Sequence, residues 1–337
     1  MNVLNSWFFI VLLIANLFFL FFFKNIQNFF NIYDYPNKIR KLHKKKVFLG
    51  GGLLIIFNLI ILVTFIFFDL SLDEKYFYSL RSYISFFIVP VFLFFLGYFD
   101  DKWNLSANLR LVLVAIIVYF AITIDNELLI TKVEFYSLEK FFYLQHFAIP
   151  FTILCFLLFI NSFNMFDGIN LQAGFYSFFI FLILYLNQVM QLLSLFFLLI
   201  ISLFLILNYF NKIFLGESGS ILLSYYISYF LIKSYNVEKI FLADQIFVLL
   251  LFPGLDMIRL FFFRIAKGKN PFFADANHIH HLLLNQVKPF ATFVIIAFAY
   301  IIPITLSFFL KNYFFAVVLT LIIYIVLFMY GKYSKKN

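Results

Sequence analysis

Charge is scarce in this chain. Only 12% of its 337 residues are Asp, Glu, Lys or Arg, against roughly 25% in soluble proteins. That excludes a solvated surface broad enough to cover the apolar residues, which make up 65% of the sequence. Cysteine is nearly absent. Cys155 stands alone in an apolar run, so a disulfide within one chain and a cysteine-built metal site are both excluded. What is plentiful is phenylalanine, 57 residues of it, set in apolar stretches that no single globular core could hide. Lipid is the natural solvent for such a surface. The net charge of +9 does not reverse this. No basic, aromatic-interleaved soluble stretch is present to bind nucleic acid, and in a membrane protein an excess of Lys and Arg marks cytoplasmic loops.

A membrane-crossing helix needs about 20 mostly apolar residues. On that measure the sequence predicts an all-α polytopic protein with eleven spans, near 4–23, 48–68, 84–99, 108–124, 147–165, 172–187, 191–210, 218–233, 244–263, 291–310 and 313–331. The stretch from Met1 to Phe23 has no basic lead and no small-residue cleavage site, so it reads as a retained first helix rather than a signal peptide. With the N-terminus outside, 18 Lys/Arg fall on inner loops and helix ends and 7 on outer ones. That asymmetry predicts an outer N-terminus and a cytoplasmic C-terminus. The whole chain, 1–337, reads as one domain, with its cytoplasmic face built from 24–47, 100–107, 161–171, 211–220 and 264–290.

Outer loops are mixed and unpatterned, whereas the inner ones hold compact polar clusters. They run from Asp34, Asn37, Arg40, Lys41 and His43 to the Asp100-Asp101 pair. Beyond these come Asn161 through Gly168, Gly216-Glu217-Ser218-Gly219-Ser220, and Asp275 through His281. A helix running inward ends at Asp100-Asp101, and another ends at Asp167. A helix C-terminus is itself partly negative, which costs about 0.3–1 kcal/mol per acid there. A bound cation would relieve this, and Mg²⁺ is the hard ion usually held by one or two carboxylates plus substrate phosphates. The blander alternative is a pair of acids that simply marks a water-facing helix end. His278, His280 and His281 lack classical zinc spacing. They read either as solvated loop residues or, with Arg264 and nearby lysines, as a basic cover over the acidic patch. Gly50-Gly51-Gly52 opens a helix and admits two readings, a backbone approach to phosphate or close helix packing. Gly216 and Gly219 likewise flank a helix start whose free N–H groups could meet an anion.

Together these motifs resemble the polyprenyl-phosphate N-acetylhexosamine-1-phosphate transferase family, a glycosyltransferase 4 group. The resemblance runs from about Asp34 to His281 in the family's order. It implies transfer of a sugar-1-phosphate from a UDP-sugar to undecaprenyl phosphate, with release of UMP, and so the start of a cell-surface polysaccharide. It also implies a cell (inner) membrane enzyme that needs Mg²⁺, with Mn²⁺ as the alternative, and it is compatible with a homodimer. By motif match, Asp100 and Asp101 are the catalytic acidic pair, and Asp101, Asp167 and Glu217 are metal ligands. Asn164, Arg264, His278, His280 and His281, with Asp34, Asn37, Arg40, Lys41 and His43, are substrate-binding residues. The chain departs from the family pattern in three places. Glu217 stands at the usual Asp, Asp167-Gly168-Ile169-Asn170-Leu171 lacks a second glycine, and the Asp34–His43 segment is one residue longer with no Pro before the glycine pair.

Two other classes compete. A transporter or lipid flippase keeps ionisable residues near the bilayer midplane, and the span centres here hold almost none. A structural scaffold leaves the acids at helix ends unexplained.

Overall fold

The computed structural model describes residues 3–36, 45–68, 77, 79–270 and 277–333. Its helices are α1 (Val3–Phe21), α2 (Phe23–Phe30), α3 (Gly51–Phe68), α4 (Leu80–Trp103), α5 (Ala107–Ile124), α6 (Ala148–Phe166), α7 (Gln172–Leu186), α8 (Gln191–Tyr209), α9 (Gly216–Lys233), α10 (Ala243–Ala266), α11 (Ile279–Leu284), α12 (Pro289–Leu310) and α13 (Tyr313–Tyr333). Each of the eleven expected apolar segments is helical. Seven helices are long and apolar enough to cross a membrane, or eight if α1 and α2, bent by 64°, count as one span. Of the rest, α3 and α7 are shorter apolar helices, and α9 is rich in serine and tyrosine.

The protein is mostly helical, consistent with the all-α expectation, and carries a few short strands besides. Strands β1 (Tyr33–Asp34) and β2 (Val47–Leu49) pair antiparallel, and β2 runs parallel to β5 (Ile213–Phe214). A hairpin of β3 (Lys132–Phe135) and β4 (Lys140–Tyr143) lies between α5 and α6. Strands of two to four residues are too short to show the alternation that identifies a strand in sequence. Asp100 and Asp101 lie in the last turn of α4, at the helix end where the sequence placed them, and the helix stops at Asn104 in the left-handed conformation. Asn tolerates that conformation and so serves as a helix stop. Ser106 then starts α5, its hydroxyl accepting from the Leu109 N–H at 3.3 Å.

Helix α9 is the hub. Every residue from Ser218 to Lys233 is buried, and it packs against α3, α4, α6 and α7. Protein, not lipid, surrounds it, so it can carry hydroxyls. Ser224 and Ser228 return theirs to carbonyls one turn back, while Tyr225 and Tyr226 donate to the Ser85 and Phe86 carbonyls of α4. Small residues allow the close approach. A Cβ on Gly97 would sit 2.3 Å from Ser218 Cα, and one on Gly52 would sit 2.6 Å from Ser218 Oγ. This favours the packing reading of the glycine triplet: Gly51 lies against the Leu215 backbone and Gly52 against Ser218 and Gly219. At the opposite end of α9, buried Lys233 pairs with Asp125 at 2.9 Å and with Glu127.

The packing makes a testable contrast. Gly97→Ala forces a methyl into the α9 backbone and should cost about 1–3 kcal/mol, as overpacking does. Gly254→Ala has nothing within 4 Å and lies inside a helix, so it should be neutral or stabilising by up to ~1 kcal/mol. Thermal unfolding of the two purified variants checks both.

Candidate active site

The close contact between α4 and α9 places Asp101 directly at the first turn of α9. Its carboxylate accepts from the Glu217 N–H at 2.8 Å, the Ser218 N–H at 3.1 Å and the Ser218 hydroxyl at 2.9 Å. The acid at the unfavourable end of α4 thus faces the favourable end of α9, whose free N–H groups and partial positive charge it satisfies. Gly216, at φ +71°, makes this approach possible, because a Cβ there would meet Asp101 Oδ2 at 2.9 Å. The α9 N–H groups expected to be open to an anion are therefore occupied by Asp101. Asp100 is buried and also partnered. It accepts from the Leu105 N–H at 2.7 Å and from Arg110 Nη1 at 2.8 Å. The same guanidinium nitrogen lies 2.8 Å from Glu217 Oε2, which takes the Asn164 amide at 2.7 Å. The strain expected of two acids at one helix end is thus met within the protein.

Asp167 differs. It ends α6, and no hydrogen bond or ion pair reaches its carboxylate among the described residues. Burial pushes its pKa up from 3.8 to about 7, and the neighbouring charges of Glu217 and Asp101 push in the same direction. The next residue, Gly168, lies against the histidines: a Cβ there would fall 1.9 Å from His280 Nε2. His280 is buried, and burial holds its imidazole well below the ordinary pKa, with His281 and His278 adding to the effect. Its ring lies parallel to that of His278, with centroids 5.3 Å apart.

All of this lines one cleft of about 2210 Å³. Of the residues expected from sequence, Asp34, Asp100, Asp101, Asn164, Asp167, Glu217, Arg264, His278, His280 and His281 border it. Asn37, Arg40, Lys41 and His43 lie outside the described residues. The three-stranded sheet explains how Asp34 arrives: it ties the first inner loop to the strand just before α9. One side of the cleft is apolar, with Leu111, Leu154, Leu158, Met257, Ile258 and Phe262 contributed by α5, α6 and α10.

The expected metal trio is not gathered as a ligand set. Among the described residues no three His, Cys, Asp or Glu side chains converge in position to hold an ion. Asp101 spends its oxygens on α9, whereas Asp167 and Glu217 are mutually repelling hard-oxygen donors. That chemistry fits a hard divalent cation.

Sequence reasoning missed two residues. Arg110, counted only among the Lys/Arg residues of the inner side, joins Asp100 to Glu217. Asp256, inside α10, accepts from His278. The signal for both was a charged residue within an apolar run, with Arg259 three residues beyond Asp256.

The fold and the cleft define a polytopic membrane protein with an acid- and histidine-lined site at one end of its bundle. Residues 83–235 match the model of glycosyl transferase family 4. The chain's similarity to individual relatives is spread along most of its length. It is 28% identical over 269 residues to the undecaprenyl-phosphate alpha-N-acetylglucosaminyl 1-phosphate transferase of Salmonella typhi, covering 74% of this chain and 68% of that one. It is 25% identical over 279 residues to the protein of that name in Escherichia coli K12, covering 79% and 72%. With the Thermotoga maritima protein of that name the match is 26% over 217 residues, covering 63% and 65%.

The contact between the acidic loop and the histidines should be sensitive to volume. Gly168→Ala is expected to lower the melting temperature by an amount equivalent to about 1–3 kcal/mol, because the buried His280 ring would have to shift to admit the methyl. An unchanged melting curve would contradict that contact.

Proposed function

We propose that this protein transfers an N-acetylhexosamine-1-phosphate from a UDP-sugar to undecaprenyl phosphate, releasing UMP and starting a cell-surface polysaccharide. One observation carries the reading. The carboxylate of Asp167, without a partner among the described residues, and the histidine wall adjoin in one cleft, which also has an apolar side, in a bundle of membrane-length helices. A soluble, anionic donor and a lipid acceptor must meet where water and lipid meet. The polar part of the cleft suits the donor. Exposed Leu154, Leu158, Ile258 and Phe262 suit a polyprenyl chain entering from the bilayer. The relatives, named as undecaprenyl-phosphate alpha-N-acetylglucosaminyl 1-phosphate transferases, point to the same acceptor and reaction type.

In the reaction, an oxygen of the lipid phosphate forms a new bond to the sugar-bearing phosphorus of the donor. The bond from that phosphorus to the UMP oxygen breaks, and its electron pair leaves with UMP. Such transfers depend chiefly on positioning and on neutralising charge. Asp167 and Glu217 would hold Mg²⁺, or Mn²⁺ in its place, with Asp101 behind them; the ion supplies charge neutralisation between the two anions. Asp100 and Asp101 are the proposed catalytic pair. Asp100 fixes Arg110, and Asp101 fixes the first turn of α9, so that Glu217 and Asn164 face the cleft. Arg264 and the three histidines, with Asp34, Asn37, Arg40, Lys41 and His43, receive the phosphates and the sugar nucleotide. The proposal includes eleven spans in the inner membrane, an outer N-terminus and a cytoplasmic site. A transporter would place its ionisable groups at the midplane rather than at one mouth of the bundle.

Full-length protein in lipid nanodiscs, given labelled UDP-N-acetylhexosamines, undecaprenyl phosphate and Mg²⁺, should form an organic-soluble product and UMP. Chelation of divalent ions should abolish it. Asp167→Asn should lower the rate at least ~100-fold, the scale set by losing a charge-stabilising group, while Glu139→Gln on the opposite hairpin should not. Glu217→Asp should retain activity if a carboxylate is what matters there. Full activity of Asp167→Asn would remove the site assignment. Labelling by an impermeant thiol reagent should find Lys269→Cys and Glu139→Cys, each in a Cys155→Ser background, on opposite sides of the membrane. Labelling from one side would overturn the topology.

A further inference from the structure

Asp256 is buried within α10 and is not among the acids that line the cleft. Donors from three elements converge on it. Its Oδ1 accepts from Arg259 Nη2 at 2.8 Å, the Tyr324 hydroxyl at 2.7 Å and the Ile279 N–H at 3.2 Å. Its Oδ2 lies 3.0 Å from His278 Nδ1. Arg259 in turn donates to the Asn277 carbonyl at 2.7 Å and, through Nε, to the Tyr324 hydroxyl at 2.7 Å. The result is a clamp that joins α10, the start of α11 and the C-terminal helix α13 around one imidazole.

We infer that Asp256 is a positioning residue for His278: it fixes the Nδ1–H tautomer and the ring plane, and leaves Nε2 as the nitrogen offered to the cleft. A carboxylate surrounded by donors can only accept, so the proton of the imidazole is held on Nδ1. The same arrangement orients histidines in catalytic and metal-bound sites, where the partner carboxylate governs tautomer and direction. Its reach extends past His278. The stacked ring of His280 follows that of His278, and His280 lies against Gly168, the neighbour of Asp167. Arg259 and Tyr324 hold the carboxylate from behind, which gives α13 a part in the site although it lines none of the cleft.

This inference rests on the transferase reading for its kinetic consequence, but its structural core can be read separately. Protein with isotopically labelled histidine nitrogens should show His278, assigned by loss of its signals in His278→Gln, as the Nδ1–H tautomer. Asp256→Asn should shift that population toward Nε2–H. In the transfer assay, Asp256→Asn should lower kcat/KM on the order of ten- to a hundredfold, as loss of a carboxylate behind a working histidine does. The Asp256→Asn/His278→Ala double variant should be no slower than His278→Ala alone. Tyr324→Phe, which removes one supporting bond and leaves the carboxylate, keeps the test open if Asp256→Asn does not fold; it should broaden or split the His278 signals and lower kcat/KM by a smaller factor. Unaltered His278 signals in these variants, or losses that multiply in the double variant, would overturn the assignment. A wild-type protein silent with every donor but carrying the Nδ1–H signal would sink the transferase reading and leave the positioning of His278 intact.

Discussion

The site depends on how closely two helix backbones can approach. Gly97 on α4 meets Ser218 on α9 where a side chain of any size would collide, and Gly52 on α3 meets the same serine. One turn beyond Gly97, this brings the Asp101 carboxylate within reach of the first N–H groups of α9. An acid that the macrodipole of its own helix disfavours is thereby placed where the dipole of another helix favours it. The position of Glu217 follows, because its backbone is the donor and its side chain must point elsewhere, toward Asn164 and Arg110. Packing and electrostatics are thus one constraint: lose the approach and the carboxylates lose their arrangement.

Buried charge has to be balanced locally, since an unpaired ion in a low-dielectric interior is costly. The bundle meets this requirement differently at its two ends. At the hairpin end Lys233 is held between Asp125 and Glu127, and Ser85 donates to Asp125 at 2.6 Å; this cluster is internally paired. At the cleft end one guanidinium, Arg110, serves both Asp100 and Glu217, and Asp101 takes the N-terminus of α9. The account does not close there among the described residues, because the charges that act on Asp167, those of Glu217 and Asp101, repel it. A structural cluster satisfies itself. A cluster with one acid left over is built to receive charge from outside.

Much of the helical plan was readable in the sequence because apolar runs longer than a globular helix have few alternative fates. The polar clusters could be picked out because acids, histidines and glycines gather there in an otherwise apolar chain. Other features were not readable, for identifiable reasons. The sheet of Tyr33–Asp34, Val47–Leu49 and Ile213–Phe214 joins segments more than 160 residues apart through strands too short to have a period. The state of α9 as an interior helix hardly shows in hydropathy, because its serines bond within their own helix and its tyrosines to α4. Asp256 was passed over because a single acid in a long apolar helix looks like an exception to the pattern. Its meaning lies in Arg259, Tyr324 and His278, which only the fold assembles.

Glu217 shows how a departure from a motif can be consistent with the structure around it. Its extra methylene, relative to aspartate, carries the carboxylate beyond the helix start that Asp101 already occupies. There it reaches two donors at once, the Asn164 amide at 2.7 Å and Arg110 at 2.8 Å. Both donors also have structural partners of consequence: Arg110 holds Asp100, and Asn164 lies in the last turn of α6, three residues before Asp167. The longer side chain therefore links α4, α5, α6 and α9 through one oxygen, Oε2. The cost of its length is rotamer entropy, which these two bonds offset. Since the Asn164 and Arg110 bonds both fall on Oε2, the carboxylate has a second oxygen with which to meet a cation beside Asp167.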